Sequence, residues 1–279
     1  MKILSPAKIN LFLHVKKKRP DGYHELFTLM CPVALFDTVS LIFGAERTVV
    51  SCTDPDVPED ETNLAYRAAE LFFKTLKINE CVEISIDKNI PVAAGLGGGS
   101  SNAAAVFLGL NRYYNNPFSR DELTDMGFLI GADVPFFIFQ KPATATGVGE
   151  KLEICKGLPG FHILLVYPGF SVSTAEVYKN LNLGLTNCDK KLKYPQLDFQ
   201  DFDLQHYLCN DLETVTASEY PEIDVVKKEL LKHGAKGALM SGSGSSVFGL
   251  FSDPEKAEKA KFSLAENDKW KVFLTEMIV

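Results

Sequence analysis

Four glycines in five positions, Gly95-Leu96-Gly97-Gly98-Gly99, run into Ser100, Ser101 and Asn102 and then into the helix-forming stretch Ala103-Ala104-Ala105-Val106-Phe107-Leu108. Glycine lets the backbone approach a ligand closely and adopt positive φ. A helix start leaves N–H groups unpaired and carries positive partial charge. Together these form an anion cradle, most often for phosphate. No Lys stands between the glycines and Ser100, so the segment is not a Walker A loop. Ser100 occupies the place of the last glycine in G-x-G-x-x-G, which disfavours a NAD-binding oxidoreductase. A flexible linker is the plain alternative, and direct attachment to an alanine-rich helix argues against it.

Other residues suit a reaction on a phosphorylated ligand. Asp133 lies in the bend Gly131-Ala132-Asp133-Val134-Pro135. An acid there is either a turn-former or a general base for a hydroxyl. Lys8 and Asn10 are two residues apart in an alternating run and so share a strand face. A cation on that face can stabilise charge on a reacting hydroxyl and phosphate; a solvated strand lysine is the alternative, weakened by its mid-strand place between Ala7 and Ile9 with Asn10 on the same face. Tyr23-His24 pairs a flat aromatic surface with a hydrogen-bonding edge, although ordinary hairpin packing explains the pair as well. Lys16-Lys17-Lys18-Arg19 is a solvated basic loop or a steering patch for anions.

These groups need elements to hold them. Lys8 to Val15 alternates as a strand, with Ile9, Leu11, Leu13 and Val15 on one face. Pro20-Asp21-Gly22 predicts a turn into a second strand, Tyr23 to Met30. Further strands are expected at Val39–Phe43, Thr48–Cys52 and Val82–Ile86. Leu64, Ala68, Leu71 and Phe72 recur at helical spacing. The helix after the glycines is expected to begin at Ser101. Ser119-Arg120-Asp121-Glu122 is a capping box opening a helix that carries Leu123, Met126, Gly127 and Ile130 and ends at Gly131. Phe136–Phe139 reads as an apolar strand. Gly147-Val148-Gly149 and Gly157-Leu158-Pro159-Gly160 mark a candidate boundary. Phe161–Tyr167 reads as a buried strand, Leu181–Phe202 as a long polar loop, and the C-terminal part as helix, strand, helix, strand. Without a regular βαβ period, the fold class is α+β.

Composition sets the remaining bounds. The 279 residues are 46% hydrophobic and 23% charged, an ordinary globular balance. A net charge of −7 argues against a nucleic-acid partner. No apolar run has the length of a membrane span, and the N-terminus opens as a strand rather than a signal peptide, so a cytoplasmic protein is expected. The six cysteines show no Cys-x-x-Cys spacing and are expected to be reduced thiols.

Pro91-Val92-Ala93-Ala94-Gly95-Leu96-Gly97-Gly98-Gly99-Ser100-Ser101 resembles the second motif of the GHMP kinases. Ser5-Pro6-Ala7-Lys8-Ile9-Asn10-Leu11, leading into Arg19-Pro20-Asp21-Gly22-Tyr23-His24-Glu25, and Met240-Ser241-Gly242-Ser243-Gly244-Ser245-Ser246-Val247-Phe248 complete the set in family order. The resemblance implies a two-domain α+β GHMP kinase fold, with domains over residues 1–155 and 156–279, a left-handed crossover in the first, and an active site in the cleft between them. It implies ATP and Mg2+ as cofactors and a small alcohol as acceptor. By the same resemblance Lys8 and Asp133 are catalytic. Asn63, Lys88, Pro91, Gly95, Leu96, Gly97, Gly98, Gly99, Ser100, Ser101 and Asn102 bind ATP, with Asn63 and Lys88 near the adenine and ribose. Asn10, Tyr23, His24, Val148, Thr174 and Tyr178 bind the substrate, Tyr178 covering the second face of a cytosine. Tyr23-His24 points to the branch whose acceptor is a diphosphocytidyl alcohol. Homoserine- and mevalonate-type kinases are the alternatives, together with an inactive nucleotide-binding sensor. Such a sensor would lack Lys8 or Asp133, and both are present. Mevalonate-kinase-like members offer a carboxylate to magnesium in the helix after the glycines. Ala103–Tyr114 contains no Glu, so magnesium is expected to rely on nucleotide, serine and water ligands. A monomer or weak dimer is expected.

Overall fold

The computed structural model of the protein describes residues 1–186, Cys188 and residues 207–278. The chain forms two compact units. Two long strands contribute to both: β1 (Lys2–Lys18) and β2 (His24–Phe43). They are joined through Pro20-Asp21-Gly22, where Gly22 has φ +89° and the Asp21 carboxylate accepts the Tyr23 N–H at 3.1 Å. The two runs expected at Tyr23–Met30 and Val39–Phe43 are a single strand. Pro32 does not end it, and its carbonyl accepts the Ile278 N–H at 2.9 Å.

The first unit comprises Met1–Ala7, Leu35–Val92 and Gly97–Gln140. It contains β3 (Val49–Cys52), α1 (Leu64–Leu76), β4 (Val82–Asp87), α2 (Gly98–Tyr113), α3 (Arg120–Ile130) and α4 (Val134–Phe139). β4 alternates, burying Val82, Ile84 and Ile86, and pairs antiparallel with β2 over Thr38–Phe43 and parallel with β3. α1 buries Ala65, Ala68, Ala69, Phe72 and Phe73. α3 has the expected capping box, Ser119 with Glu122, and buries Leu123, Met126, Gly127 and Ile130. Two expectations change here. α2 starts three residues before Ser101, because Gly98 and Gly99 form its first turn despite their low helix propensity. The apolar run Phe136–Phe139 belongs to a helix rather than a strand. Short apolar runs do not separate the two, and Pro135 in the first turn favours a helix start.

The second unit comprises Lys8–Ala34, Ala93–Leu96 and Lys141–Val279. β5 (Ala143–Gly147) pairs with β2 over Leu26–Met30 and with β6 (Lys151–Ile154). Gly147-Val148-Gly149 is therefore the turn of a hairpin rather than a boundary, with φ +74° at Gly147 and +117° at Gly149. Then come β7 (His162–Tyr167), α5 (Thr174–Asn180), a 3-10 turn at Leu183–Leu185 and β8 (Cys209–Asn210), which pairs with β1 at Phe12 and Leu13. Of the long loop expected over Leu181–Phe202, Asn187 and residues 189–202 lie outside the described residues.

The chain continues with α6 (Glu213–Glu219), α7 (Glu222–Lys232), β9 (Gly237–Met240), β10 (Val247–Phe251), α8 (Pro254–Leu264) and β11 (Lys271–Glu276). A helix pair and a tight β9–β10 hairpin replace the simple alternation expected there. β11, β7, β10 and β9 form an antiparallel sheet in that order. Its core includes Leu164, Val166, Val226, Leu230, Phe251 and Trp270. Cys188 and Cys209 are disulfide-bonded, with Cα atoms 5.6 Å apart, whereas reduced thiols were expected throughout. Their separation of 21 residues carries no spacing signal that would have revealed the pair. Among the described residues, no helix is long and apolar enough to cross a membrane.

Candidate active site

The glycine run is held differently at its two ends. Ala93–Leu96 belongs to the second unit and Gly97 onward to the first. At the front, Gly95 has φ +77°, and a Cβ there would lie 2.0 Å from the Ser241 carbonyl oxygen. Ser241 Oγ donates to the Gly95 carbonyl at 3.0 Å, and the Ser246 N–H donates to that of Ala94 at 3.1 Å. The Lys8 N–H donates to the Leu96 carbonyl at 3.0 Å. The serine loop joining β9 to β10 thus grips the front of the glycine run. Asn210 secures that loop, its Nδ2 donating to the carbonyls of Met240 at 2.9 Å and Gly242 at 2.7 Å. Thr216 Oγ1 adds a bond to the Ser243 carbonyl at 3.0 Å.

At the rear, Gly97 caps α2 in the left-handed region and provides no side-chain acceptor. α1, α3 and α8 are instead capped by Asn63, Ser119 and Asp253. The N-cap side chain therefore takes none of the first-turn N–H groups of α2, and the positive end of the helix suits an anion. A Cβ on Gly98 would lie 2.9 Å from Lys88 Nζ, and one on Gly99 meets only Leu64 Cδ1 at 3.8 Å.

The hydroxyls and amides that follow divide. Ser101 is buried and accepts from Ser5 Oγ at 2.7 Å. Asn102 is buried too, donating to Ser5 Oγ and to Asp37 Oδ2, each at 3.0 Å. Ser100 is only half-buried. Lys88 is not on the surface: its ammonium is ion-paired with Asp37 in the interior. Asn63 uses its amide to cap α1, accepting the Ala65 N–H at 2.9 Å and donating to the Pro58 carbonyl at 2.7 Å.

Lys8 and Asn10 do share a face of β1. Lys8 Nζ donates to Asn10 Oδ1 at 2.7 Å, Asn10 Nδ2 to Thr28 Oγ1 at 2.9 Å, and Thr28 Oγ1 to the Phe12 carbonyl at 2.6 Å. This series orients the buried ammonium, which lies 3.4 Å from the position of a Gly242 Cβ. Asp133 is the N-cap residue of α4, half-buried, with a side chain that makes no capping bond.

His24 is buried and stacks on Tyr178, with ring centroids 5.1 Å apart and planes 26° from parallel. Burial, and then the charge of Lys18, push the imidazole below its ordinary pKa. The neutral ring offers both a donor and an acceptor. Tyr23 is 62% exposed. Thr174 Oγ1 hydrogen-bonds Ser243 Oγ at 2.7 Å, and the Val148 N–H donates to Glu150 Oε2 at 2.7 Å in the β5–β6 turn. Pro91 is half-buried, just before the glycine run.

Three residues at these sites escaped the sequence reading. Asp37 lies in the buried series Asp37, Val39, Leu41, so strict alternation would have pointed its carboxylate inward. Thr28 lies where β2 is buried on both faces, and Asn210 lies in a two-residue strand; neither carries a periodic signal. Among the described residues, no group of three His, Cys, Asp or Glu side chains is placed to hold a metal ion.

Comparison with known proteins follows the same lines. The family of GHMP kinases N terminal domains matches residues 63–141, and that of GHMP kinases C terminal matches residues 198–269. A 4-diphosphocytidyl-2-C-methyl-D-erythritol kinase of Syntrophotalea carbinolica is 47% identical over 276 residues, which cover 99% of this chain and 98% of that one. One from Syntrophus aciditrophicus is 44% identical, covering 100% of this chain and 99% of its own. A crystal structure of 4-(cytidine 5'-diphospho)-2C-methyl-D-erythritol kinase superposes with a TM-score of 0.82 at 34% identity, covering 100% of both chains. Homoserine kinase from Cytophaga hutchinsonii shares the fold, with a TM-score of 0.74 at 21% identity over 99% of this chain and 94% of that one.

Proposed function

This chain belongs to the GHMP kinases, and we propose how its own residues carry the reaction of a 4-diphosphocytidyl-2-C-methyl-D-erythritol kinase. That reaction moves the γ-phosphoryl group of ATP to the 2-hydroxyl of the diphosphocytidyl alcohol, in the non-mevalonate route to isoprenoid precursors. The observation that carries the reading is the start of α2. Its N-cap is a glycine, its first turn is glycine-built, and no N-cap side chain takes its N–H groups. This is the cradle that polyphosphate requires.

ATP phosphates lie against the N–H groups of Gly98, Gly99 and Ser100 in this proposal. Ser101 and Asn102 support the cradle from inside the unit, and Asn63 shapes the neighbouring chain by capping α1. Magnesium neutralises phosphate charge when bound. The nucleotide, water and the Ser100 hydroxyl at the start of α2 would hold it. Asp133 accepts the proton of the 2-hydroxyl as its oxygen bonds to the γ-phosphorus and the bond to ADP breaks. Lys8, held by Asn10, stabilises charge on the transferring group. The cytosine ring lies on Tyr23 and Tyr178, and neutral His24 reads its edge. Thr174 and Val148 complete the substrate contacts. In sequence terms residues 1–155 are the ATP-holding domain and 156–279 the second, a division that differs from the two compact units, which interleave along the chain. The protein acts in the cytoplasm as a monomer or weak dimer, without a nucleic-acid partner.

An ADP-release assay decides among acceptors. The diphosphocytidyl alcohol should give a kcat/KM far above mevalonate or homoserine, and the reverse order would overturn the substrate assignment. Asp133→Asn should lower turnover by roughly 10²–10⁴-fold while nucleotide binding persists.

A further inference from the structure

We propose that Asp37 is a positioning residue for the nucleotide phosphates, a role that rests on the kinase reading above. Its carboxylate is fully buried and accepts four donors. Oδ1 takes the N–H groups of Asn89 at 2.8 Å and Ile90 at 2.9 Å. Oδ2 takes the Lys88 ammonium and, at 3.0 Å, Asn102 Nδ2. The donors come from the segment after β4 and from the first turns of α2, the two pieces of chain that bracket the glycine run.

A fold seeking stability alone does not need this arrangement. Taking a carboxylate and an ammonium out of water is costly, and well-packed apolar residues often serve as well. The pair does accomplish a specific placement. It holds the Lys88 ammonium 2.9 Å from where a Cβ of Gly98 would lie, directly behind the start of the helix. Through Asn102 the same carboxylate fixes the helix that bears the cradle. The cradle N–H groups and the cation behind them are therefore registered to one side chain. Displacing a binding group by about an ångström is enough to cost a large factor in function.

Asp37→Asn in the full chain tests this. The substitution keeps the shape and removes the charge that anchors Lys88. ADP affinity, by calorimetric titration, and the KM for ATP should weaken roughly tenfold or more. The KM for the diphosphocytidyl alcohol should change far less. Phe72→Leu serves as the control, since it loosens α1 at a fully buried ring and should lower the melting temperature without that selective shift. An Asp37→Asn protein with lowered melting temperature and unchanged ADP affinity would make Asp37 a residue of the fold alone and overturn the proposal. Should Asp37→Asn fail to fold, Asn102→Ala takes its place by removing one of the four donors. Several-fold weaker ADP binding is expected there, and unchanged binding would overturn the proposal. If the unaltered chain binds no ADP, the kinase reading falls and takes this role with it, a result distinct from the others.

Discussion

The rear of the glycine run rests on a buried charge pair, and its front rests on backbone carbonyls and serine hydroxyls. Behind α2, Asp37 and Lys88 interact through buried side chains, and the Asp37 carboxylate takes four donors. In front, the Ser241 carbonyl oxygen is so close to Gly95 that no side chain fits between. One anchor is a hydrogen-bonded charge pair; the other is a steric contact between backbone atoms. A phosphate loop needs a fixed floor and a placed charge, and here the two demands fall on different stretches of a single short segment.

Gly95→Ala should break the contrast most severely. The new methyl would overlap a backbone oxygen at 2.0 Å, and the backbone already sits at φ +77°. A loss above about 4 kcal/mol is expected, with little folded protein recovered, as read by chemical denaturation. Asn210→Ala attacks the same front anchor indirectly, leaving two buried carbonyls without their donor. It should cost about 1–3 kcal/mol and lower turnover in the surviving protein. Gly98→Ala at the rear should be milder. The backbone there is helical, alanine is the better helix former, and the nearest atom is the end of a lysine side chain. Stability should move by less than about 1 kcal/mol, while the KM for ATP rises because Lys88 must shift.

The smallest effect is a pH dependence confined to the front anchor. Asp211 follows Asn210 and is buried, which alone would raise its pKa. His14 at 2.8 Å and the N–H groups of Val15 and Cys188 more than offset this and hold the carboxyl below its ordinary value. A lowered carboxylate pKa contributes stability that is present above the unfolded value, about 3.9, and is lost as pH falls through the folded one. Denaturation midpoints between pH 6 and pH 3 should therefore fall less steeply in Asp211→Asn than in the unaltered chain. Parallel slopes would remove Asp211 from the account.

The same contrast explains what the sequence reveals and what it hides. The strand face shared by Lys8 and Asn10, the Ser119–Glu122 box and the turn at Gly22 are local, so residue type and period disclose them. The two ends of the glycine run depend on partners far along the chain. Ser241 is 146 residues from Gly95, and Asp37 is 65 residues from Asn102. Asp37 was still half-visible, because an acid on the inward face of an alternating strand must find a partner. The grip of Ser241 on Gly95 left no trace beyond two glycine-rich runs, since backbone contacts do not depend on side-chain pattern. The helix start at Gly98 was missed because glycine is the poorest guide to helix among residues other than proline.

The approach of Ser241 to Gly95 also bears on how this segment can evolve. A lesion at the rear has second-site suppressors of its folding cost: a lost carboxylate at Asp37 leaves Lys88 as an unpaired buried charge, and removing that ammonium relieves the fold without restoring the placed cation. A lesion at Gly95 has no such allele. Its obstacle is a carbonyl oxygen, which every amino acid at position 241 would carry, so no substitution there trims it away. A genetic screen for revertants of Gly95→Ala should return true reversion to glycine or changes that shift the whole serine loop. A screen of Asp37→Asn for recovered folded protein should return single residues such as Lys88.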